Sequence, residues 1–362
     1  MTRAKMEVGV GIDIGGTHLS AVAISTHEIM DQFMRQCATK SSPGACVLDT
    51  LILCKAHRKV TDRSVAAVVQ LLVELLGDIY DQLRMLREDF VISGLGMGVP
   101  GNVDPKTGTT RYLPNFGWSS PVPLRALILD RLDKRFDRDK LRIEIRNDAR
   151  CAAIAEAAFG AGMGSKVFAM LTLGTGIGGA LVIQGKLFDG ASYDAGDFGH
   201  HVIRSGDDAL DCVCGKRGCF EKHASAMGLV SQYRLLMAGQ GRQVGDGGLS
   251  AADARGHDAL CILEKMRSGD PESTRSWDIY CDDLSTGLAN LVTFYNPDII
   301  ALGGGLGQAA ELYEGAMMQK MVDDKSLPAS RGVIRVVRAG LGTESGSVGA
   351  ALLSLGEGIN LP

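Results

Sequence analysis

The chain has 362 residues, which at about 150 residues per domain suggests two domains. Lys and Arg number 38 against 42 Asp and Glu, a net charge of −4, which argues against a nucleic-acid binder that works by neutralising phosphates. Hydrophobic residues at 45% with 22% charged exclude wholesale disorder, and the 47 glycines, roughly twice average usage, imply tight turns and close backbone approaches.

The charged start, Met1 to Glu7, runs directly into an apolar segment and has no signal-peptide pattern. Val8 to Ile14 and Leu19 to Ile24, joined through Gly-Gly-Thr, read as a hairpin. Thr61 to Arg87 places apolar residues three and four apart and predicts an amphipathic helix. Phe90 to Val99 is strand-like and ends in Pro100-Gly101. Leu124 to Lys140 is expected to be a helix with a solvated outer face, and Leu141 to Ile145 a strand. The Ala-rich helix Ala149 to Phe159 follows Asn147-Asp148.

Val167 to Gly185 carries no charge and is long enough to span a membrane. Its five glycines and two threonines instead suggest two strands, Val167 to Leu173 and Ala180 to Ile183, around a glycine turn. Gly239 to Gly248 is expected to be a surface insertion, with helical pattern only near Asp258 to Met266. Asp278 to Tyr295 reads as a helix, and Asp298 to Leu302 as a strand entering Gly303-Gly304-Gly305. Val333 to Val337 and Ser345 to Leu355 read as a strand and a helix. This alternation implies an α/β architecture. The strand–glycine turn–strand unit at Asp13 to Thr17 is echoed at Gly174 to Gly179, as in a duplicated fold whose halves face a cleft.

Three groups of residues carry chemistry. In Asp13-Ile-Gly15-Gly16-Thr17, glycine amides and a hydroxyl can receive an anion, and a strand-end aspartate can hold Mg²⁺. Gly174-Thr175-Gly176 repeats that chemistry. It fits G-x-G-x-x-G, but a strand rather than a helix follows, so a dinucleotide fingerprint is a poor reading. Cys212, Cys214 and Cys219 are three thiolates beside two glycines, suited to a tetrahedral ion, with His200 or His201 as the fourth ligand. On an extended strand at most one of the two histidines can serve. Three thiolates with no open position mark structural zinc. The nine cysteines, an odd count without a secretory signal, point to a reducing compartment, and a cytoplasmic location is expected. Asn147-Asp148 on its own reads as a helix cap. Asp197, His200 and Glu221 flank the cysteines, where a folded metal loop could fix them to read sugar hydroxyls.

These motifs, in this order, resemble the ROK family of sugar kinases and related repressors. The matching pieces are Asp13-Ile-Gly-Gly-Thr17, Gly98-Val-Pro-Gly101, Pro114-Asn115 with Trp118, and Asn147-Asp148-Ala149. Further on come Leu173 to Gly179, Ala195-Gly-Asp-Phe-Gly-His200, Cys212 to Glu221 and Gly303 to Gly305. The resemblance implies an actin-like ATPase (ribonuclease H-like) duplicated fold. The expected domains are 1–140, joined by the C-terminal helix 345–362, and 141–344 with the zinc motif.

The resemblance also implies ATP-dependent phosphorylation of a hexose, glucose to glucose 6-phosphate, with Asp148 as catalytic base. Gly101, Asn147, Asp197, His200 and Glu221 correspond to sugar-contacting positions, and His200 with the three cysteines to the zinc site. Gly15, Gly16, Thr17 and Gly174 to Gly176 (with Thr175) would hold the phosphates of ATP, Gly304 and Gly305 its adenosine, and Asp13 would organise Mg²⁺. Asp197 stands where the family usually has Glu, one methylene longer. Kinases of N-acetylglucosamine, N-acetylmannosamine, allose or fructose are the alternatives within the family. A silent sugar sensor or a repressor is the alternative outside catalysis. About a dozen residues precede Asp13, too few for a DNA-binding domain. The expected partners are a sugar and ATP, with no nucleic acid and no membrane, in a homodimer or homotetramer.

Overall fold

A computed structural model describes residues 5–25, 46–87, 89–113, 116–239 and 257–356. The chain forms two compact units. One comprises the described parts of Met1–Gly164, Val182–Asp194 and Gly340–Pro362, the other Ser165–Leu181 and Ala195–Ala339.

The first unit contains β1 (Met6–Ile14), β2 (His18–Ser25), α1 (Cys46–Leu51), β3 (Ile52–Lys59), α2 (Val65–Leu86), β4 (Phe90–Val99), β5 (Asn102–Asp104), β6 (Thr109–Tyr112), α3 (Leu124–Arg131), β7 (Arg142–Asn147) and α4 (Asp148–Phe159). Its sheet has the order β3-β2-β1-β4-β7. The β1–β2 and β2–β3 pairs are antiparallel, while β4 runs parallel to β1 and β7. One sheet face packs on α2, whose Val68, Leu72, Leu75, Ile79 and Leu83 are buried at helical spacing. Each such side chain contributes about 1.5–3 kcal/mol on burial.

Glycines dominate the other face. A Cβ at Gly11 would lie 1.9 Å from the carbonyl oxygen of Ser347, and one at Gly96 1.8 Å from that of Ala350. The C-terminal helix Ser345–Leu355 therefore rests directly on the β1 and β4 backbones. Gly349 on this helix meets the Cys151 carbonyl of α4 in the same way.

The second unit contains β8 (Val167–Leu173), the start of β9 (Ile177–Ile183), α5 (Phe220–Ala224), α6 (Ala226–Gly239), α7 (His257–Arg267), α8 (Pro271–Tyr295), β11 (Ile299–Gly303), α9 (Gly304–Gly307), α10 (Met317–Lys325) and β12 (Arg335–Arg338), while β10 (Lys186–Leu187) pairs with the end of β9. The sheet order is β10-β9-β8-β11-β12. Numbered from its own first strand, each sheet runs 3-2-1-4-5, so the echo between the two glycine turns extends to whole topologies. No described helix is long and apolar enough to cross a membrane.

Several elements differ from the sequence reading. The helix expected over Leu124 to Lys140 stops at Arg131. Beyond it, Asp133 accepts the Arg135 backbone N–H at 2.9 Å, and the Asp137 carbonyl accepts from Leu141 at 2.9 Å. A short acidic side chain such as that of Asp133 competes with the helix for its own amides. α2 begins at Val65 because Ser64 caps it. α8 begins seven residues earlier than expected, at Pro271, where the Asp270 carboxylate accepts the Ser273 N–H at 2.9 Å. The units do not divide at residue 140: β7 and α4 belong to the first, because β7 is bonded to β4. The α7 helix forms near the expected Asp258 to Met266, while 240–256 and Pro114-Asn115 lie outside the described residues.

Candidate active site and metal centre

In the first unit, parallel strand ends set the positions. Asp13 on β1 is level with Gly98 on β4, and Gly98 with Arg146 on β7, so Asp148 follows at the same edge of the sheet. Gly98 keeps that edge open. A Cβ there would lie 3.4 Å from the Asp148 Cα and 3.5 Å from Asp13 Oδ1. Asn147, not Asp148, caps α4. Its Oδ1 accepts from the N–H groups of Ala149 at 3.0 Å and Arg150 at 3.3 Å, and its Nδ2 donates to the Gly101 carbonyl at 3.3 Å. Gly101, Asn147 and Asp148 are thus brought together.

Burial, reinforced by the Asp148 charge, pushes the Asp13 carboxyl up to about 7. Burial raises Asp148 as well, against opposing hydrogen bonds from backbone N–H groups and the Asn147 side chain. Two half-buried carboxyls that resist ionising are the kind of pair in which proton transfer or cation binding is set up. Asp13 supplies the hard oxygen donors that Mg²⁺ takes. Sequence reasoning missed Gly346, whose Cβ would stand 3.2 Å from the Asp13 carboxyl carbon. The tail helix therefore limits what can reach this carboxylate, a contact no local motif announces.

In the turn at Gly15 to Thr17, Gly15 N–H donates to the His18 carbonyl at 2.9 Å. The Gly16 carbonyl accepts from Arg63 Nε at 3.1 Å and the Thr17 carbonyl from the Val60 N–H at 2.8 Å. With these carbonyls engaged, the turn has amides and the exposed Thr17 hydroxyl to offer an anion.

In the second unit, the turn after β8 runs from Gly174 to Gly176, and β9 begins at Ile177 rather than at the expected Ala180. Gly174 N–H donates to the Gly176 carbonyl at 3.0 Å. Glu221 on α5 braces this turn: its Oε2 accepts the Ile177 N–H at 2.9 Å, and a Cβ at Gly176 would come within 2.2 Å of the same oxygen. Thr175 sits inside the turn. Gly304, with φ of 77°, lies against the Leu173 backbone, where a Cβ would approach to 2.6 Å. Gly305 next to it faces open space. The Gly174 turn and the Gly304-Gly305 corner are therefore neighbours.

His200, Cys212, Cys214 and Cys219 form one cluster, with their ligand atoms all within 4.8 Å of one another. His200 Nδ1 is 3.7 Å from Cys212 Sγ, and Cys214 Sγ is 3.5 Å from Cys219 Sγ. Gly218, with φ of 75°, passes so close to the Arg204 carbonyl that no side chain fits. Burial, then the neighbouring thiols, push Cys219 up to about 12. A divalent cation would stabilise the Cys219 thiolate that burial and its neighbours oppose. The set of three sulfurs and one imidazole fits zinc.

The choice between the two histidines has a different basis from the one expected. Phe198 to His200 is a single 3₁₀ turn, not a strand. His201 turns away, with Nδ1 2.6 Å from the Phe198 carbonyl and its ring 5.0 Å from that of Phe220. Asp197 is exposed just ahead of this turn, and its carbonyl accepts the His200 N–H at 3.1 Å.

Comparison with known proteins gives the family. The model of the ROK family matches residues 44–357. The chain belongs to the ROK family. A glucokinase of Thermotoga maritima is 33% identical over 258 residues, covering 71% of this chain and 77% of its own. An N-acetyl-D-glucosamine kinase of Aliivibrio salmonicida is 30% identical over 293 residues, 78% of this chain and 87% of its own. Among solved structures, a ROK family glucokinase from Streptomyces griseus in complex with glucose and AMPPNP is similar with a TM-score of 0.69. It is 26% identical, and the match covers 96% of this chain and 99% of that one. This ROK protein thus has the actin-like ATPase fold expected from its motifs.

Proposed function

We propose that this ATP-dependent sugar kinase of the ROK family phosphorylates glucose to glucose 6-phosphate, with Asp148 as the general base. The observation that carries the reading is Asp148 itself: a half-buried carboxylate with a raised pKa at the start of α4, beside a second such carboxylate and held by the Asn147 cap. Its Oδ1 accepts the Ala149 N–H at 2.8 Å, which fixes the side chain's orientation.

In the step proposed, Asp148 takes the proton of the sugar 6-hydroxyl as that oxygen bonds to the γ-phosphorus. The bond from phosphorus to the β-bridging oxygen breaks, and ADP departs. The proton leaves Asp148 for solvent after product release. Asn147 and the Gly101 backbone are the residues to orient the sugar, and Asp197, His200 and Glu221 those to bind its hydroxyls. The turns at Gly15-Gly16 and at Gly174 to Gly176, with the Thr17 and Thr175 hydroxyls, receive the phosphates, and Gly304 and Gly305 the adenosine. Mg²⁺, when bound, neutralises phosphate charge, and Asp13 is the residue to organise it. His200, Cys212, Cys214 and Cys219 hold structural zinc, which keeps Glu221 and the His200 backbone in place. A cytoplasmic homodimer or homotetramer goes with this reading.

Asp197 favours a second reading. A carboxylate one methylene shorter than the family's Glu leaves room for a substituent such as an N-acetyl group, and a relative named as an N-acetyl-D-glucosamine kinase is 30% identical. ADP release from Mg-ATP over glucose, mannose, fructose, allose, N-acetylglucosamine and N-acetylmannosamine decides between them. Highest kcat/KM for glucose supports the proposal. Preference for an N-acetylated sugar moves it to the second reading, and no turnover on any sugar by zinc-loaded protein refutes both.

A further inference from the structure

A cavity of about 500 Å³ lies wholly within the first unit, lined by none of the residues assigned above. Leu141 and Ile143 give it an apolar floor, and Lys106, Arg125, Arg146, Glu144 and Asp189 form its walls. Arg146, only 11% exposed, stands 3.6 Å from an Asp189 oxygen and 3.8 Å from a Glu144 oxygen. Both separations exceed hydrogen-bond length. Arg146 Nε and Nη1, Arg125 Nε and Asp189 Oδ1 are buried without a hydrogen-bond partner. Arg125 spends its other nitrogens on the Lys106 carbonyl at 2.6 Å and the Pro105 carbonyl at 2.7 Å, which fixes the guanidinium in the wall. Lys106 Nζ stands 5.7 Å from the centre of the Tyr193 ring at the rim.

Buried charged groups are seldom left unpaired, because the unmet hydrogen bond and the lost hydration are both costly. Three unmet guanidinium N–H groups, with the exposed Lys106 ammonium at the rim, match the oxygens of a phosphate. The unmet Asp189 Oδ1, and Glu144, which also accepts from Arg142 at 3.2 Å, only accept and match hydroxyl donors. A bare phosphate would face both carboxylates, and a neutral sugar would leave the guanidinium donors unmet.

We propose that this cavity binds a phosphorylated sugar at a site distinct from phosphoryl transfer. Lys106, Arg125 and Arg146 take the phosphate, Glu144 and Asp189 accept from the hydroxyls, and the apolar floor takes the C–H face of the ring. The argument stands on these side chains and not on the assignment of the transferred phosphoryl group. The site does adjoin that machinery: Arg146 directly precedes Asn147-Asp148, and Arg150 on α4 donates to the Tyr193 carbonyl.

Calorimetric titration with glucose 6-phosphate tests this. The background is Glu221→Gln, chosen to weaken product binding at the proposed transfer site. Saturable binding is expected there, at least tenfold weaker when Arg146→Gln or Lys106→Gln is added, and at least tenfold weaker for inorganic phosphate. No saturable binding, binding indifferent to both added substitutions, or equal affinity for inorganic phosphate overturns the proposal. Lys106 is exposed, so Lys106→Gln keeps the test decisive if Arg146→Gln does not fold. A failed kinase assignment would show instead as absent turnover, with this binding unchanged.

Discussion

The turn after β1 and the turn after β8 occupy equivalent places in two sheets of the same strand order, yet they are held by different means. The first is tied down through its carbonyls by Arg63 and Val60, and it follows a half-buried aspartate whose carboxyl, like that of its neighbour Asp148, is raised. The second follows an apolar strand end, and the carboxylate at its side comes from α5, immediately after the last cysteine of the metal cluster. One topology thus serves two chemistries. The first unit concentrates carboxyls that are hard to ionise, suited to moving a proton or holding a cation. The second braces its turn with a carboxylate from the helix that follows the cysteine cluster.

The difference can be broken most sharply at Asp148. Asp148→Asn keeps shape and cap while removing the base, so kcat should fall by about 10³-fold with sugar binding and melting nearly unchanged. Single-turnover kinetics with sugar-binding titrations would measure it, and near wild-type turnover would remove Asp148 from the role. The same carboxylate sets a pH dependence. A base must be deprotonated, and a raised pKa means it protonates early as pH falls, so kcat/KM should drop about tenfold per pH unit below a midpoint higher than the ordinary carboxylate value near 4. A pH profile flat down to that value contradicts the assignment.

In the second unit the largest effect should come from the metal loop. Cys214→Ser, or chelation, should remove the metal and cost about 3 kcal/mol, roughly 6–12 °C in Tm for a unit of this size. Metal analysis alongside melting checks this, and a metal-free protein with unchanged Tm counts against a zinc site. A smaller effect sharpens the contrast within one turn. Gly176→Ala drives a methyl into Glu221 and should cost about 1–3 kcal/mol. Gly174→Ala meets nothing within 4 Å and should stay within about 0.5 kcal/mol of wild type. Equal losses in the two variants would mean that Glu221 is not the brace. On sugar binding, Asp197→Glu should act by about 1 kcal/mol, seen as a roughly five-fold shift in KM for the preferred sugar.

Much of the frame was legible because buried parallel strands are apolar runs and their helices are periodic. β1, β4, β8 and β11 lie close to where composition alone placed them. β3 was not legible. It alternates Lys55, His57 and Lys59 with partly buried residues, because it sits at a sheet edge and is recognised only by its ladder to β2. The end of α3 was misjudged because helical pattern continues past Arg131 while Asp133 and Asp137 bind nearby amides instead.

At the site, the order of motifs determined which groups are present: three thiols, two histidines, the strand-end aspartates and the glycine turns. These are properties of local sequence, since a turn, a cap or a ligand spacing needs only adjacent residues. Packing decided how they are used. Asp13 and Asp148 become a pair resistant to ionisation only because β4 brings β1 and β7 side by side and the tail helix closes over bare glycine backbone. His200 rather than His201 faces the thiols because a 3₁₀ turn sends the second ring to Phe220. Burial and proximity across more than a hundred residues of sequence are what shift a carboxyl, and no local pattern encodes them.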